Sequence, residues 1–154
     1  MSEFVKIVEV GPRDGLQNEK TPLTLQQRKA LILDLMKTGI KSIEVGSCVS
    51  AKWVPQMAQS DVLFAELPKD PNIQFSLLTP NLKGFESARA VGCQEVAVFT
   101  AASESFTQKN INCSIDESLE KFSDVMAAAK ASNIKVRGYV SCMVDCPYEG
   151  AIDP

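Results

Sequence analysis

Histidine is absent from the 154 residues. Any metal site or acid–base chemistry read from this chain must therefore be written without imidazole. Aromatic residues are also scarce, at 6%. The net charge is −3 and the pI about 5.0, so there is no basic excess. A nucleic-acid partner would call for a basic stripe interleaved with aromatics, and neither is present. No apolar run approaches the ~18 residues that a membrane span requires. The opening residues, Met1-Ser2-Glu3-Phe4-Val5, lack a basic and then apolar leader, which leads us to expect no signal peptide and a cytoplasmic location.

Five cysteines are scattered at 48, 93, 113, 142 and 146, with no C-x-x-C pair. Zinc ribbons and thioredoxin-type sites are thereby excluded, and reduced intracellular thiols are expected. Cys142 and Cys146 lie four apart. Two unrelated buried thiols are the simpler reading there than a redox pair. The spacing of strand-like and helix-like runs also fits an open doubly wound sheet, but no G-x-G-x-x-G and no P-loop follows any strand-like run, so the nucleotide-binding versions of that sheet lose support.

What remains is alternation. Residues 5–10 (VKIVEV) form a β-branched run ended by Gly11-Pro12. Thr24 and Gln27 make a capping box for a helix over 24–38, with Leu25, Ile32, Leu35 and Met36 on one face and Gly39 closing it. A strand over 41–45 leads to Gly46-Ser47, and a helix is expected over 54–67 with Pro55 in its first turn. Residues 73–78 give a third strand, and Asn81 caps a helix closed by Gly92. Residues 95–100 give a fourth strand, followed by a polar loop over 101–113. Ser114 and Glu117 form a second capping box, with Ile115, Leu119, Phe122, Met126 and Ala129 striping the helix behind it. Residues 135–141 give a fifth strand.

Strands alternating with helices at this spacing predict parallel βαβ units. Right-handed crossovers then place every strand's C-terminal end on one face. The strand ends are polar or small there: Arg13-Asp14, Ser47, Thr79-Asn81, Ser103-Glu104 and Ser141-Cys142. The predicted fold class is α/β, a (β/α)8 TIM barrel represented by about five strands and four helices, with residues 1–154 as the N-terminal portion of one catalytic domain. A full barrel takes about 250 residues, so we expect the run of units to be interrupted at Ile152-Asp153-Pro154.

The densest chemistry lies in GPRDGLQNE, residues 11–19. Arg13 offers a fixed cationic fork and Asp14 a hard oxygen donor suited to Mg²⁺ or Mn²⁺. Gly11 and Gly15 would let the backbone turn around the pair. On residue chemistry alone, an Asp-Gly turn beside a surface arginine is the simpler reading. Glu44 sits inside an apolar strand and needs a partner, for which Arg13 or a metal-bound water would serve. Alternatively it faces the helix layer and pairs with a surface lysine. Val8-Glu9-Val10-Gly11 echoes Ile43-Glu44-Val45-Gly46, either as a repeated strand-end design or as barrel repetition alone.

Five long runs carry a family resemblance: GPRDGLQNEK, IEVGSCVSAKWVPQM, LLTPNLKGFE, AASESFTQKNINCSIDES and RGYVSCMVDCPYEG. Together they cover essentially the whole chain, in order, and resemble the hydroxymethylglutaryl-CoA lyases. These belong to a wider group that includes acyl-CoA condensing synthases with a shared Arg-Asp-Gly strand end. GPRDGLQNE and KWVPQ look like the lyase branch.

The resemblance implies a divalent-metal lyase that cleaves 3-hydroxy-3-methylglutaryl-CoA to acetyl-CoA and acetoacetate. It implies an acyl-CoA substrate, Mg²⁺ or Mn²⁺ as cofactor and a homo-oligomeric full-length protein. Arg13 matches the catalytic arginine, Asp14 the carboxylate metal ligand and Glu44 a supporting acid. Gln17 and Ser47 match positions lining the substrate pocket, and Lys109-Asn110 a loop near the acyl-CoA. The family's other ligands, two histidines and an asparagine, and its glycine-rich-loop cysteine have no match here. The 154 residues alone are therefore expected to be inactive. A condensing synthase of the same group, or a non-catalytic half-barrel whose strand edges drive assembly, are the alternatives.

Overall fold

The computed structural model describes residues 5–153. Four parallel strands form one sheet in the order β1 (Ser42–Ser47), β2 (Gln74–Leu78), β3 (Glu95–Ala101) and β4 (Lys135–Ser141). Spatial order equals chain order throughout. A doubly wound sheet would reverse at a switch point. This sheet does not, so its helices stay on one face, as in the wall of a barrel.

The first expected strand is reduced to one bridge. Glu9 N–H donates to Ser42 O at 2.9 Å and Glu44 N–H to Glu9 O at 2.8 Å. Val5 and Ile7 stand exposed, so the β-branched run has no covered face to express its propensity. The chain then winds into a single π-helical turn, Gly11–Gly15, with Arg13 and Asp14 N–H both donating to Val10 O. Residues 1–4 of the opening segment lie outside the described residues.

Helix α1 (Leu25–Met36) starts at the Thr24–Gln27 capping box, and Gly39 beyond it takes φ +93°. Helix α3 (Leu82–Ala90) starts at Asn81, whose side chain accepts from Gly84 N–H. Helix α5 (Ile115–Ala131) starts at the Ser114–Glu117 capping box. Its buried stripe is Ser118, Phe122, Val125 and Ala129, while Leu119 and Met126 face solvent. The expected stripe was thus rotated by about one position, because Val125 and Ser118 complete the i, i+4, i+7, i+11 row better.

Two further expectations fail. The helix over 54–67 is broken into a 3-10 turn (Pro55–Met57) and the short α2 (Ser60–Ala65), with Gln59 left-handed at φ +57°. Side chains take the carbonyls that a continuous helix would use: Arg28 Nη1 donates to Ala58 O at 2.7 Å and Ser60 Oγ to Met57 O at 2.7 Å. The polar loop over 101–113 contains a helix, α4 (Glu104–Ile111). Ser103 caps it by accepting from Phe106 N–H, and Asn112 ends it at φ +52°. After β4, two short antiparallel strands, β5 (Asp145–Cys146) and β6 (Gly150–Ala151), close a hairpin.

The apolar core lies between sheet and helices. Ile43, Val45, Leu77 and Val96 meet Ile32, Leu63, Phe85 and Val125, all fully buried. A register shift between Glu44 and Gly46 turns Gly46 toward the helix layer. A Cβ there would collide with Ser60 Oγ and lie 2.8 Å from Ser60 Cβ and 2.9 Å from Arg28 Nη2. At Gly138, in β4, a Cβ would meet nothing within 4 Å. Gly46→Ala should therefore destabilise by about 1–3 kcal/mol, whereas Gly138→Ala should change stability by less than about 0.5 kcal/mol. Urea unfolding of the two variants checks the contrast.

Candidate active site

The sheet's other face carries charge. Along β1, Glu44 alternates with Ile43 and Val45 and points away from the helices. It is fully buried. Arg13 Nε donates to Glu44 Oε1 at 2.6 Å. Arg137 Nη2 and Tyr139 Oη both donate to Glu44 Oε2 at 2.9 Å. Arg13 was therefore the correct partner, and the surface-lysine alternative is excluded.

The pairing extends in both directions. Arg137 Nη1 donates to Glu95 Oε1 at 2.8 Å and Lys6 Nζ reaches Glu95 Oε2 at 3.1 Å. At the other end, Arg13 Nη1 donates to Asp14 Oδ1 at 2.7 Å. Six groups thus alternate in sign: Lys6, Glu95, Arg137, Glu44, Arg13 and Asp14. The two outer members are solvent-accessible and the middle four are largely covered. The ladder climbs from the start of β3 to the π turn beside the C-terminal part of β1. Tyr139 stands between the two arginines, 5.7 Å from Arg13 Cζ and 5.3 Å from Arg137 Cζ, in reach of cation–π attraction.

Arg13, Asp14 and Glu44 are thus brought together as expected. Gln17, half-buried just past the π turn, makes no hydrogen bond to them among the described residues. Ser47 ends β1 with its N–H donating to Ser60 Oγ at 3.1 Å, and its own hydroxyl is buried without a partner among the described residues. Gly11 approaches the Glu9 carboxylate, which accepts from its N–H at 2.6 Å. Glu9 therefore caps its own chain, and its echo of Glu44 is one of sequence only. Lys109 Nζ lies 3.6 Å over the Tyr148 ring, and Asn110 is exposed.

Sequence reasoning missed Arg137, Tyr139 and Glu95. Their signal was present: Arg137 and Tyr139 are two apart on one strand, hence on one face, with Val136 before and Val140 after the pair on the other face. Arg28 was missed as well. It is buried, its Nη2 donates to Ser60 Oγ at 2.9 Å, and desolvation lowers its pKa.

Asp14 is the one carboxylate of the group with an oxygen open to solvent, its other oxygen accepting from Arg13. Both Glu44 oxygens are committed to cations or Tyr139. Among the described residues no group of three or more His, Cys, Asp or Glu side chains could hold a metal ion. The open Asp14 oxygen has the chemistry of one hard-oxygen donor to a divalent cation.

A family model described as HMGL-like matches residues 4–154. The chain belongs to that family. It is 55% identical over 152 residues to the hydroxymethylglutaryl-CoA lyase of Pseudomonas mevalonii, covering 99% of this chain and 50% of that protein. The crystal structure of the hydroxymethylglutaryl-CoA lyase from Pseudomonas aeruginosa superposes with a TM-score of 0.93 at 55% identity, over 97% of this chain and 50% of that one. An HMG-CoA lyase from Acinetobacter baumannii, solved with coenzyme A and 3-methylmalate, superposes with a TM-score of 0.91 at 30% identity, over 99% and 51%. The chain spans about half the length of the curated relatives it matches. Its sheet and helices form part of an α/β barrel like theirs.

Two predictions follow from the ladder. Glu44→Ala leaves two arginines facing each other without their shared anion and should cost about 3–5 kcal/mol in urea unfolding. Burial and the Glu44 carboxylate raise the Tyr139 pKa above its ordinary 10.0. The unfolded chain then loses this proton first as the pH rises. The stability owed to neutral Tyr139 is complete below pH 10 and is lost as pH climbs from there through the raised folded value. Tyr139→Phe should flatten that alkaline loss, as read from unfolding midpoints across the range.

Proposed function

We propose that these residues form the N-terminal part of the active face of a hydroxymethylglutaryl-CoA lyase, within one barrel domain. The observation that carries this reading is Arg13. Its Nε is locked on buried Glu44 and its Nη1 on Asp14, while Nη2 takes no acceptor among the described residues. A guanidinium held on two sides presents its remaining N–H groups in a fixed direction, which is what a developing oxyanion requires.

The reaction breaks the bond between C2 and C3 of the substrate. The C3 hydroxyl loses its proton and becomes the ketone of acetoacetate. The bonding electrons pass to C2, giving the enolate of acetyl-CoA, whose thioester oxygen gathers negative charge. In this reading the free N–H groups of Arg13 bind that oxygen. Glu44 acts through Arg13 rather than on substrate: Arg137 and Tyr139 hold its carboxylate, and it holds the guanidinium. Gln17 and Ser47 line the substrate pocket in this reading. A Mg²⁺ or Mn²⁺ ion held in part by Asp14 would supply Lewis-acid chemistry at the substrate hydroxyl and carboxylate. The other ligands in its shell are not histidines of these 154 residues.

An acyl-CoA substrate is supported by the coenzyme A complex of the Acinetobacter relative. A cytoplasmic, homo-oligomeric protein belongs to the same proposal. Among the relatives, the mouse protein is named cytoplasmic and the chicken protein mitochondrial. No helix among the described residues is long and apolar enough to cross a membrane.

The test is made in a lyase-active polypeptide that carries these residues. Arg13→Lys should lower kcat by about 10²–10³, because one ammonium cannot hold Glu44 and Asp14 and still present a fork. Asp14→Ala should abolish turnover while far-UV circular dichroism and the unfolding midpoint stay near wild type. Retained activity in either variant, or unfolding of the Asp14 variant, would refute these roles.

A further inference from the structure

Helix α4 is gripped at both ends by the hairpin that follows β4. It has only eight residues, Glu104–Ile111, and most are polar, so neither length nor a broad apolar stripe holds it in place. At its start the Glu149 carboxylate accepts from Ser105 N–H at 2.8 Å and from the Ser103 hydroxyl. Ser103 Oγ in turn accepts from Phe106 N–H at 3.1 Å. Two of the N–H groups that a helix start leaves open are thus closed, one of them by a residue 44 positions away. Cys146 is buried with its Sγ 2.9 Å from the same Ser103 oxygen, whereas Cys142 is only half-buried. In the last turn, Lys109 Nζ lies 3.6 Å over the Tyr148 ring, and the Phe106 ring lies 6.1 Å from that ring. Tyr148 and Glu149 are neighbours in sequence, and both are exposed. They add little to the core, yet both hold α4.

The place of this grip matters. β3 and β4 are parallel and stay in register to Ala101 and Ser141. Glu9 bridges β1 in the same sense. α4, the hairpin and the π turn bearing Arg13 therefore all leave the sheet at one rim, the C-terminal one. Lys109 is the one basic residue of α4. The acyl-CoA of the proposed function carries its phosphates far from the thioester, and a lysine on the rim is a cation for them.

We propose that Glu149 and Tyr148 are positioning residues for the lyase reaction, aiming α4 so that Lys109 meets the phosphate-bearing part of the acyl-CoA. This rests on the acyl-CoA reading above and names the residues that orient the helix. Neither touches substrate in this scheme. Without the Glu149 carboxylate the first turn of α4 frays, and substrate must order the helix before Lys109 can engage. α4 is no part of the ladder that holds Arg13, so the loss falls on binding and not on cleavage of the bond.

The test uses the lyase-active polypeptide that carries these residues. Its substrates are 3-hydroxy-3-methylglutaryl-CoA and the matching pantetheine thioester, which has no phosphates. Glu149→Ala should raise KM for the CoA thioester by about tenfold with kcat within about twofold, and leave KM for the pantetheine thioester near wild type. The Ser105 and Phe106 amides should exchange with deuterium about tenfold faster. Glu149→Gln keeps an acceptor for Ser105 N–H and should recover part of the lost KM. Lys109→Ala should raise KM in the same way, and the double variant should go no further than the larger single effect. Should Glu149→Ala fail to fold, Tyr148→Leu carries the same split between the two thioesters. Faster exchange with KM unchanged, an equal rise for both thioesters, or effects of Glu149→Ala and Lys109→Ala that multiply would each overturn the positioning role. In those cases the wild type still cleaves the CoA thioester and the lyase reading stands. A wild type that does not cleave it sinks both.

Discussion

One carboxylate organises this half of the molecule. Glu44 is buried in the middle of β1, and its two oxygens are divided among Arg13, Arg137 and Tyr139. A buried anion is costly unless its lone pairs are filled, and here three donors fill them. The same contacts fix the turn that follows Glu9 to the first strand and the first strand to the fourth. Alternation of sign lets a dense set of charges share the sheet's concave face, since each member has opposite neighbours.

The opposite face explains why the ladder can exist at all. Ile43, Val45, Leu77 and Val96 pack under the helices and supply most of the apolar burial. Period-two alternation then delivers Glu44, Ser76, Arg137 and Tyr139 to the other side without sacrificing that packing. Consecutive parallel order stacks the strands so that polar groups from β1 and β4 meet across the two strands between them. The fold and the charge network depend on the same periodicity.

Much of this was legible in the residues. Both capping boxes, the positions of the four sheet strands and the Gly39 and Gly92 closures follow local rules that tertiary contacts did not override, whereas the run over 5–10 kept only one bridge. The Arg13–Glu44 pairing was readable because a charge in an apolar strand must find a partner. The break at Gln59 was not, because it is made by Arg28 reaching from another helix. α4 was hidden by its polar composition, which local counting reads as loop. Its support is long-range: Glu149 accepts from Ser105 N–H and from the Ser103 hydroxyl at the helix start. Arg137 and Tyr139 were overlooked because a strand's inward face shows its meaning only when its partner strand is known.

Chain order has a consequence for how the molecule assembles. Each strand pairs with the one made just before it, so the sheet can grow as the polypeptide leaves the ribosome, with one helical crossover to close at each step. Glu44 emerges early, but Arg137 and Tyr139, two of its three donors, arrive some ninety residues later. Until then the growing wall carries an incompletely neutralised acid on its inner side. Docking of β4 satisfies it, so a nascent wall that misplaces this strand keeps an electrostatic penalty that the correct one sheds.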